Sequence, residues 1–414
     1  MDLTAAVANL GLDADRTRDP ASFAIGGRTP RIAARPASRE EAAEALRAAA
    51  REGLRVVPWG GGVALPFESA PEHYDVALDL GGLDRVVEYE PDDLTLTAEC
   101  GVTLGSLRAK LAERGQELPI EGARATRATL GGAIAANAVG PRRRAFGAPR
   151  DRVLGARYLL GDGTTARSGG KVVKNVAGYG VHRLLCGSRG GLAIVLEASL
   201  KLQPAPEQRV GLVFAATERD LADGARWRSL ARLELAALTV VSTTTASGIH
   251  AAGTPFLVVA GCEGDTAWVA EQERHVCAAL GLPLAKRTGA EAVELWTKLE
   301  DLEEQSGERL TLVTADCTPD ALERVNAFAP GIPLAFHVLA GRLMLWPRGG
   351  EAEPLLPMLL HDGGWVVVDA RPTSAFGLAK PKPPAVLAMR AALREAIDPT
   401  RRFALGEDWV ERSL

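Results

Sequence analysis

The chain has 414 residues, 47% of them hydrophobic and 24% charged, with a formal net charge of −4. That length suits two or three domains of ordinary composition, and the acidic balance argues against a nucleic-acid partner. The first residues, MDLTAAVANLGLDADR, lack a basic segment followed by an apolar one, so no secretory signal is expected. The longest stretch free of charge, Leu235 to Cys262, is interrupted by polar residues, Gly and Pro, so no membrane span is expected either.

In chain order, Arg31 to Ala34 reads as a strand before Pro36. Ser38 reads as the N-cap of a helix with Glu41 in a capping box, and Ala42, Ala45, Leu46 and Ala49 recur at helical spacing until Gly53. A strand, Leu54 to Pro58, then empties into Trp59-Gly60-Gly61-Gly62-Val63-Ala64-Leu65. Three successive glycines let backbone N–H groups approach a ligand phosphate closely. Val76 to Leu80, Val86 to Glu90 and Leu94 to Glu99 read as strands. Thr103 reads as the cap of a helix carrying Leu104, Leu107 and Leu111 on one face as far as Gly115.

A second stretch of small residues runs from Thr129 to Asp151. It opens Thr129-Leu130-Gly131-Gly132 and continues through Ala135, Ala136, Asn137 and Gly140 to the GPRRR run and Gly147. A helix this small suits a backbone laid against something flat or charged. Neither stretch is the G-x-G-x-x-G of a Rossmann unit, so a phosphate-bearing cofactor is implied without that fold. A hairpin is expected from Arg152 to Leu160 and Thr164 to Arg167, turning at Gly161-Asp162-Gly163. It is followed by Gly169-Gly170-Lys171-Val172-Val173-Lys174-Asn175-Val176-Ala177-Gly178-Tyr179 and a long strand from Gly191 to Leu202.

These motifs together resemble the FAD-binding domain of the p-cresol methylhydroxylase/vanillyl-alcohol oxidase superfamily. Within it they are most similar to the FAD-binding subunits of glycolate oxidase complexes. Pro58 to Leu65, Ala128 to Asp151 and Gly169 to Tyr179 carry the resemblance over the first half of the chain. Gly180 stands where Asp is expected, and Gly190-Gly191-Leu192-Ala193 where Gly-Thr-Leu-Gly is usual. The resemblance implies an α+β fold. A two-part FAD-binding domain would cover residues 1–205, with subdomains of about 25–90 and 91–205. A cap domain with an antiparallel sheet would follow at 206–380, and a tail at 381–414 would return to the FAD domain. It also implies contacts to FAD from Pro58, Trp59, Gly60, Gly61, Gly62, Val63, Ala64, Leu65, Thr129, Leu130, Gly131, Gly132, Ala135, Ala136, Asn137, Gly140, Arg144 and Gly147, and from backbone at Ile194 or Val195.

The texture changes after Pro204. Strands are expected at Val210 to Phe214, Leu238 to Val241, Phe256 to Ala260, Leu310 to Thr314, Leu334 to Leu339, Leu343 to Trp346 and Trp365 to Asp369. Helices are expected over Asp220 to Leu233, Thr266 to Leu280, Pro319 to Phe328 and a stretch before Trp365. This reads as an antiparallel sheet with helices on one face. A last helix covers Ala385 to Ile397, and Ala404-Leu405 stands where the superfamily has Asn-Pro.

Five scattered cysteines, Cys100, Cys186, Cys262, Cys277 and Cys317, hold no C-x-x-C pair. They exclude an iron–sulfur cluster of usual spacing within the chain and fit a reducing cytoplasm. No histidine lies in the Gly60 loop, so dissociable, non-covalent FAD is expected. His182, just after the Tyr179 motif, reads as a surface or interface residue, with a place near flavin as the other reading. The superfamily's His-rich metal motif is missing, so no metal site and no catalytic base can be named. The resemblance then implies a subunit that binds FAD and exchanges electrons with a larger catalytic flavoprotein, on which substrate oxidation largely occurs, and an iron–sulfur subunit, with a small 2-hydroxy acid as the complex's substrate. Localisation would be cytoplasmic, with peripheral membrane association through those partners. A standalone flavin dehydrogenase is the alternative; a scaffold that has lost its cofactor fits poorly with an intact glycine set. Arg142, Arg143 and Arg144 could meet FAD phosphates, an anionic substrate, a partner or only water. Lys171 and Lys174 could hold a substrate carboxylate or pack Asn175 and Tyr179.

Overall fold

The strand–helix–strand opening forms because each boundary is locally encoded. The Ser38 side chain accepts from Glu41 N at 3.0 Å and starts the helix Arg39–Arg51, and Gly53, at φ 69°, ends it. The expected reciprocal bond of a capping box is absent. The Glu41 carboxylate accepts instead from Ala37 N at 2.8 Å and pairs with Arg16 at 3.0 Å, because a guanidinium outcompetes a single peptide N–H. The computed structural model describes residues 3–63, 71, 73–171, 178–246, 248–250, 253–302, 309–313, 332–346, 365–369 and 384–405. The sequence expectations for Ala64, Leu65, Val172 to Ala177, the helix Pro319 to Phe328 and the helix before Trp365 lie outside the described residues.

The chain divides into two units. The first comprises residues 1–138, 148–205 and 382–414. Its first sheet is parallel, in the order Ile32–Ala34, Val76–Asp79, Val56–Trp59. The second is antiparallel, in the order Val86–Glu90, Thr95–Glu99, Ile194–Lys201, Val153–Leu159, Thr165–Gly169. One buried cluster joins the helix Arg39–Arg51 to the parallel sheet. Another joins Leu104, Leu107 and Leu111 of the helix Leu104–Ala112 to the antiparallel sheet. Residues from the tail belong here. Phe403 bridges Val56 in parallel, Ala404 N donates to Val56 O at 3.0 Å, and Asp398, fully buried, accepts from Arg402 N and Phe403 N.

The second unit comprises residues 139–147 and 206–381. Its eight-stranded antiparallel sheet runs Ala285–Thr288, Gln208–Ala216, Phe256–Gly264, Ala237–Ser242, Leu334–His337, Arg342–Leu345, Arg309–Val313, Trp365–Asp369. The expected single helix over Asp220 to Leu233 is two, Glu218–Leu221 and Gly224–Arg232, because the Asp223 side chain caps the second by accepting from Arg226 N. The expectation of helices on one face also fails. Trp227, Leu230, Val269 and Val276 pack on one face, whereas Leu295, Trp296 and Leu299 of the helix Ala290–Asp301 pack on the other. Glycines at 211 and 261 admit that second layer, since a Cβ there would meet Leu295 or Trp296 at 2.6 or 2.5 Å.

His337 lies fully buried in this sheet with Nδ1 2.9 Å from Thr239 Oγ1. Burial, reinforced by the Arg342 guanidinium, pushes its imidazole down to about 3. A folded pKa below the unfolded value stabilises above about pH 6.5, and this stabilisation is lost as pH falls toward 3. From pH 7 to 5 the second unit should lose about 2 kcal/mol through this one group. Denaturant unfolding of His337→Asn at the two pH values should show that loss removed.

Candidate functional site

Three segments of the first unit converge at the end of the strand Val56–Trp59. The glycine loop meets the segment before the helix Leu130–Ala136 so closely that side chains are barred. A Cβ on Gly61 would lie 1.9 Å from Arg127 O, and one on Gly60 would lie 2.3 Å from Thr129 Oγ1. Thr129 caps the helix by accepting from Gly132 N at 3.1 Å. Gly131 N donates to Cys100 O at 2.7 Å, where a Cβ would meet the Cys100 backbone at 2.9 Å. The third segment is the turn after Cys186. Gly187 N and Arg189 N donate to Ile134 O and Ala135 O, and a Cβ on Gly190 (φ 73°) would reach Pro58 at 3.0 Å. The three glycine-bearing stretches, scattered over more than a hundred positions of sequence, thus share one place.

The polar inventory there includes acceptors without partners. Among the described residues, the buried Ser188 Oγ and Asn137 Oδ1 make no hydrogen bond, and Asn137 holds the left-handed conformation at φ 49°. Buried polar atoms are almost always satisfied, so such atoms beside a glycine cradle fit a ligand with hydrogen-bonding groups. Ile194 and Val195 open the strand that follows, their side chains entering the two different cores of the unit. Gly140, Arg144 and Gly147 belong to the second unit. There the exposed Arg144 donates to Ala231 O at 2.6 Å, and the buried Arg142 lies 3.3 Å from the Glu263 carboxylate and 5.2 Å above the Phe146 ring. The reading of Arg142 as part of a solvated run is thereby overturned.

His182 is buried, not on the surface, with Nδ1 2.9 Å from Ser168 Oγ. Ser168 donates to Tyr179 O at 2.8 Å, so it accepts from Nδ1–H, which fixes the tautomer. Burial pushes the imidazole pKa down, keeping it neutral. Lys171 pairs with Glu88, and Tyr179 is 91% exposed.

Sequence reasoning missed a polar cleft of about 280 Å³ lined by Gly60 and Gly61 together with Gly101, Thr103 and Ser106. Arg35 and Arg127 line it too. Arg35 is held by Asp79 at 2.6 Å, whereas Arg127 donates to Gly61 O at 2.9 Å. Their only sequence signal was nearness to glycines. Among the described residues no three His, Cys, Asp or Glu side chains group as metal ligands, and no helix is long and apolar enough to cross a membrane.

Residues 30–169 match the family model described as an FAD binding domain. The chain carries an FAD-binding domain of the p-cresol methylhydroxylase fold. Its likeness to the crystal structure of p-cresol methylhydroxylase with substrate bound has a TM-score of 0.71, covering 97% of this chain and 96% of that one at 16% identity, which shows the fold. Glycolate oxidase subunit GlcE of Escherichia coli is 43% identical over 128 residues, 31% of this chain and 37% of that subunit. A D-lactate dehydrogenase of Archaeoglobus fulgidus is 34% identical over 175 residues, 42% of this chain and 39% of that enzyme. Each match spans less than two-fifths of the relative's length.

Proposed function

We propose that the chain is an FAD-dependent oxidoreductase subunit of a glycolate oxidase-like complex, with FAD bound non-covalently. A larger catalytic flavoprotein and an iron–sulfur subunit are its partners, a small 2-hydroxy acid is the substrate, and the complex is cytoplasmic with peripheral membrane contact through its partners. The observation that carries this reading is the meeting of the Gly60–Gly62 loop and the Thr129–Asn137 segment, both within the residues matched to an FAD binding domain, with the Ser188–Gly190 turn that follows them. The likeness to a glycolate oxidase subunit supports the choice of complex.

Bound FAD supplies a two-electron acceptor; oxidation of the 2-hydroxy acid to the 2-oxo acid releases two electrons and two protons. The protein's part is to bind and orient. Backbone from Pro58 to Leu65 and Thr129 to Gly132 would hold the phosphates, Asn137 and Ser188 would offer hydrogen bonds, and backbone at Ile194 or Val195 would meet the flavin. The likeness to a D-lactate dehydrogenase favours a second reading, a dehydrogenase that acts alone.

An absorbance spectrum before and after acid precipitation, followed by anaerobic glycolate and D-lactate, tests both. A yellow supernatant is the expected result, with flavin that stays oxidised until partner subunits are added. A yellow pellet would overturn non-covalent binding. Bleaching by substrate in the isolated chain would establish the second reading in place of the first.

A further inference from the structure

The polar cleft beside Gly60 and Gly61 contains two guanidinium groups in different states. The Arg35 charge is answered by Asp79, which is 2% exposed and also accepts from Gly81 N at 2.9 Å. Arg127 is exposed, spends one donor on Gly61 O and, among the described residues, pairs with no carboxylate. The same cleft is lined by Asp84 and by Thr103 and Ser106, whose hydroxyls are 2.8 Å apart. A volume of about 280 Å³ sits at the lower edge of the roughly 300–1,000 Å³ range of ligand pockets, so it holds half a dinucleotide and not a whole one. A cation, a carboxylate and hydroxyls lining one cleft match a phosphate joined to a ribose diol.

We infer that this cleft receives the adenylate half of FAD, that Arg127 meets its phosphate, and that Arg127 is therefore the residue by which the chain distinguishes FAD from FMN. The inference rests on the FAD reading above. In this structure the guanidinium rests on the crest of the glycine loop; with ligand it turns its remaining donors to the phosphate while the loop stays in place.

The test uses the full chain stripped of flavin and titrated with FAD, FMN and ADP, read by flavin fluorescence. The wild type should bind FAD at least tenfold more tightly than FMN, and ADP should displace FAD. Arg127→Gln should bring FAD affinity down to that of FMN, leave FMN unchanged and abolish ADP competition; Arg127→Lys should fall between, keeping charge without the fork. Unchanged melting temperatures would show that both variants fold, as expected for an exposed side chain. Wild-type FAD affinity in Arg127→Gln, or no displacement by ADP, would overturn the inference while leaving the FAD reading standing. A wild-type chain that binds neither flavin would overturn that reading itself.

Discussion

Gly61→Ala should purify almost free of flavin. The new methyl group would point at the Arg127 carbonyl oxygen from 1.9 Å, and both sides of the collision are backbone, so neither can rotate away. Overpacking of this kind costs about 1–3 kcal/mol, and the loop must leave the Thr129 segment to relieve it, which separates the two walls of the cradle. Flavin content should fall about tenfold or more for a displacement of even 1.4 kcal/mol. Gly60→Ala should be milder. Its methyl meets the Thr129 hydroxyl, which can turn away at the loss of a helix cap of about 1 kcal/mol. Gly253→Ala, with nothing within 4 Å, is the control. Flavin-to-protein absorbance ratios check the order; a Gly61→Ala chain as yellow as the wild type would refute the cradle.

Glu263→Gln should destabilise the second unit by about 3–5 kcal/mol, the range for removing one partner from a buried ion pair. The Glu263 carboxylate is 3.3 Å from Arg142 and 3.7 Å from Arg209, and its side chain is almost wholly buried. Without its charge both guanidinium groups lose this buried carboxylate. Arg142→Met should cost less, because Arg209 still answers the carboxylate and a long apolar side chain can still cover Phe146. Denaturant unfolding followed by tryptophan fluorescence would rank the two, since Trp227 and Trp296 lie in the unit's cores. Equal losses, or a loss below about 1 kcal/mol for Glu263→Gln, would show that the buried carboxylate does not stabilise the second unit as expected.

What the sequence disclosed and what it concealed divide along the range of the interaction. Ser38 and Thr103 cap helices through N–H groups three positions away, so their roles were legible, whereas the same role of Thr129 was hidden in a stretch read only as a ligand contact. The glycine stretches were legible as sites of close approach, though not the surfaces they approach. Periodicity said which residues of the second unit are buried but not on which side of the sheet. The helix Ala290–Asp301 therefore went unseen, as did the edge strand Ala285–Thr288, whose short polar sequence carries no strand signal. His182 looked exposed because its partner, Ser168, is 14 positions back across a motif that draws the eye elsewhere. The arginine run read as a phosphate or solvent surface because nothing near it in sequence announces Glu263.

Residues 139–147 belong with the second unit although the chain on both sides of them belongs with the first. Arg142 thus leaves the ribosome 121 positions ahead of the carboxylate that neutralises it. At synthesis rates of about 5–20 residues per second, its guanidinium waits on the order of 6–24 s before its partner strand exists. From residue 205 to the end of that interval the first unit's sequence is complete except for its tail, yet it carries a basic segment whose destination has not been translated. Any truncation that stops at the boundary near Ala205 freezes the protein in this state. Such a fragment should show its liability at Val139–Gly147, far from the cut, and swapping the three arginines for neutral polar residues should make it better behaved.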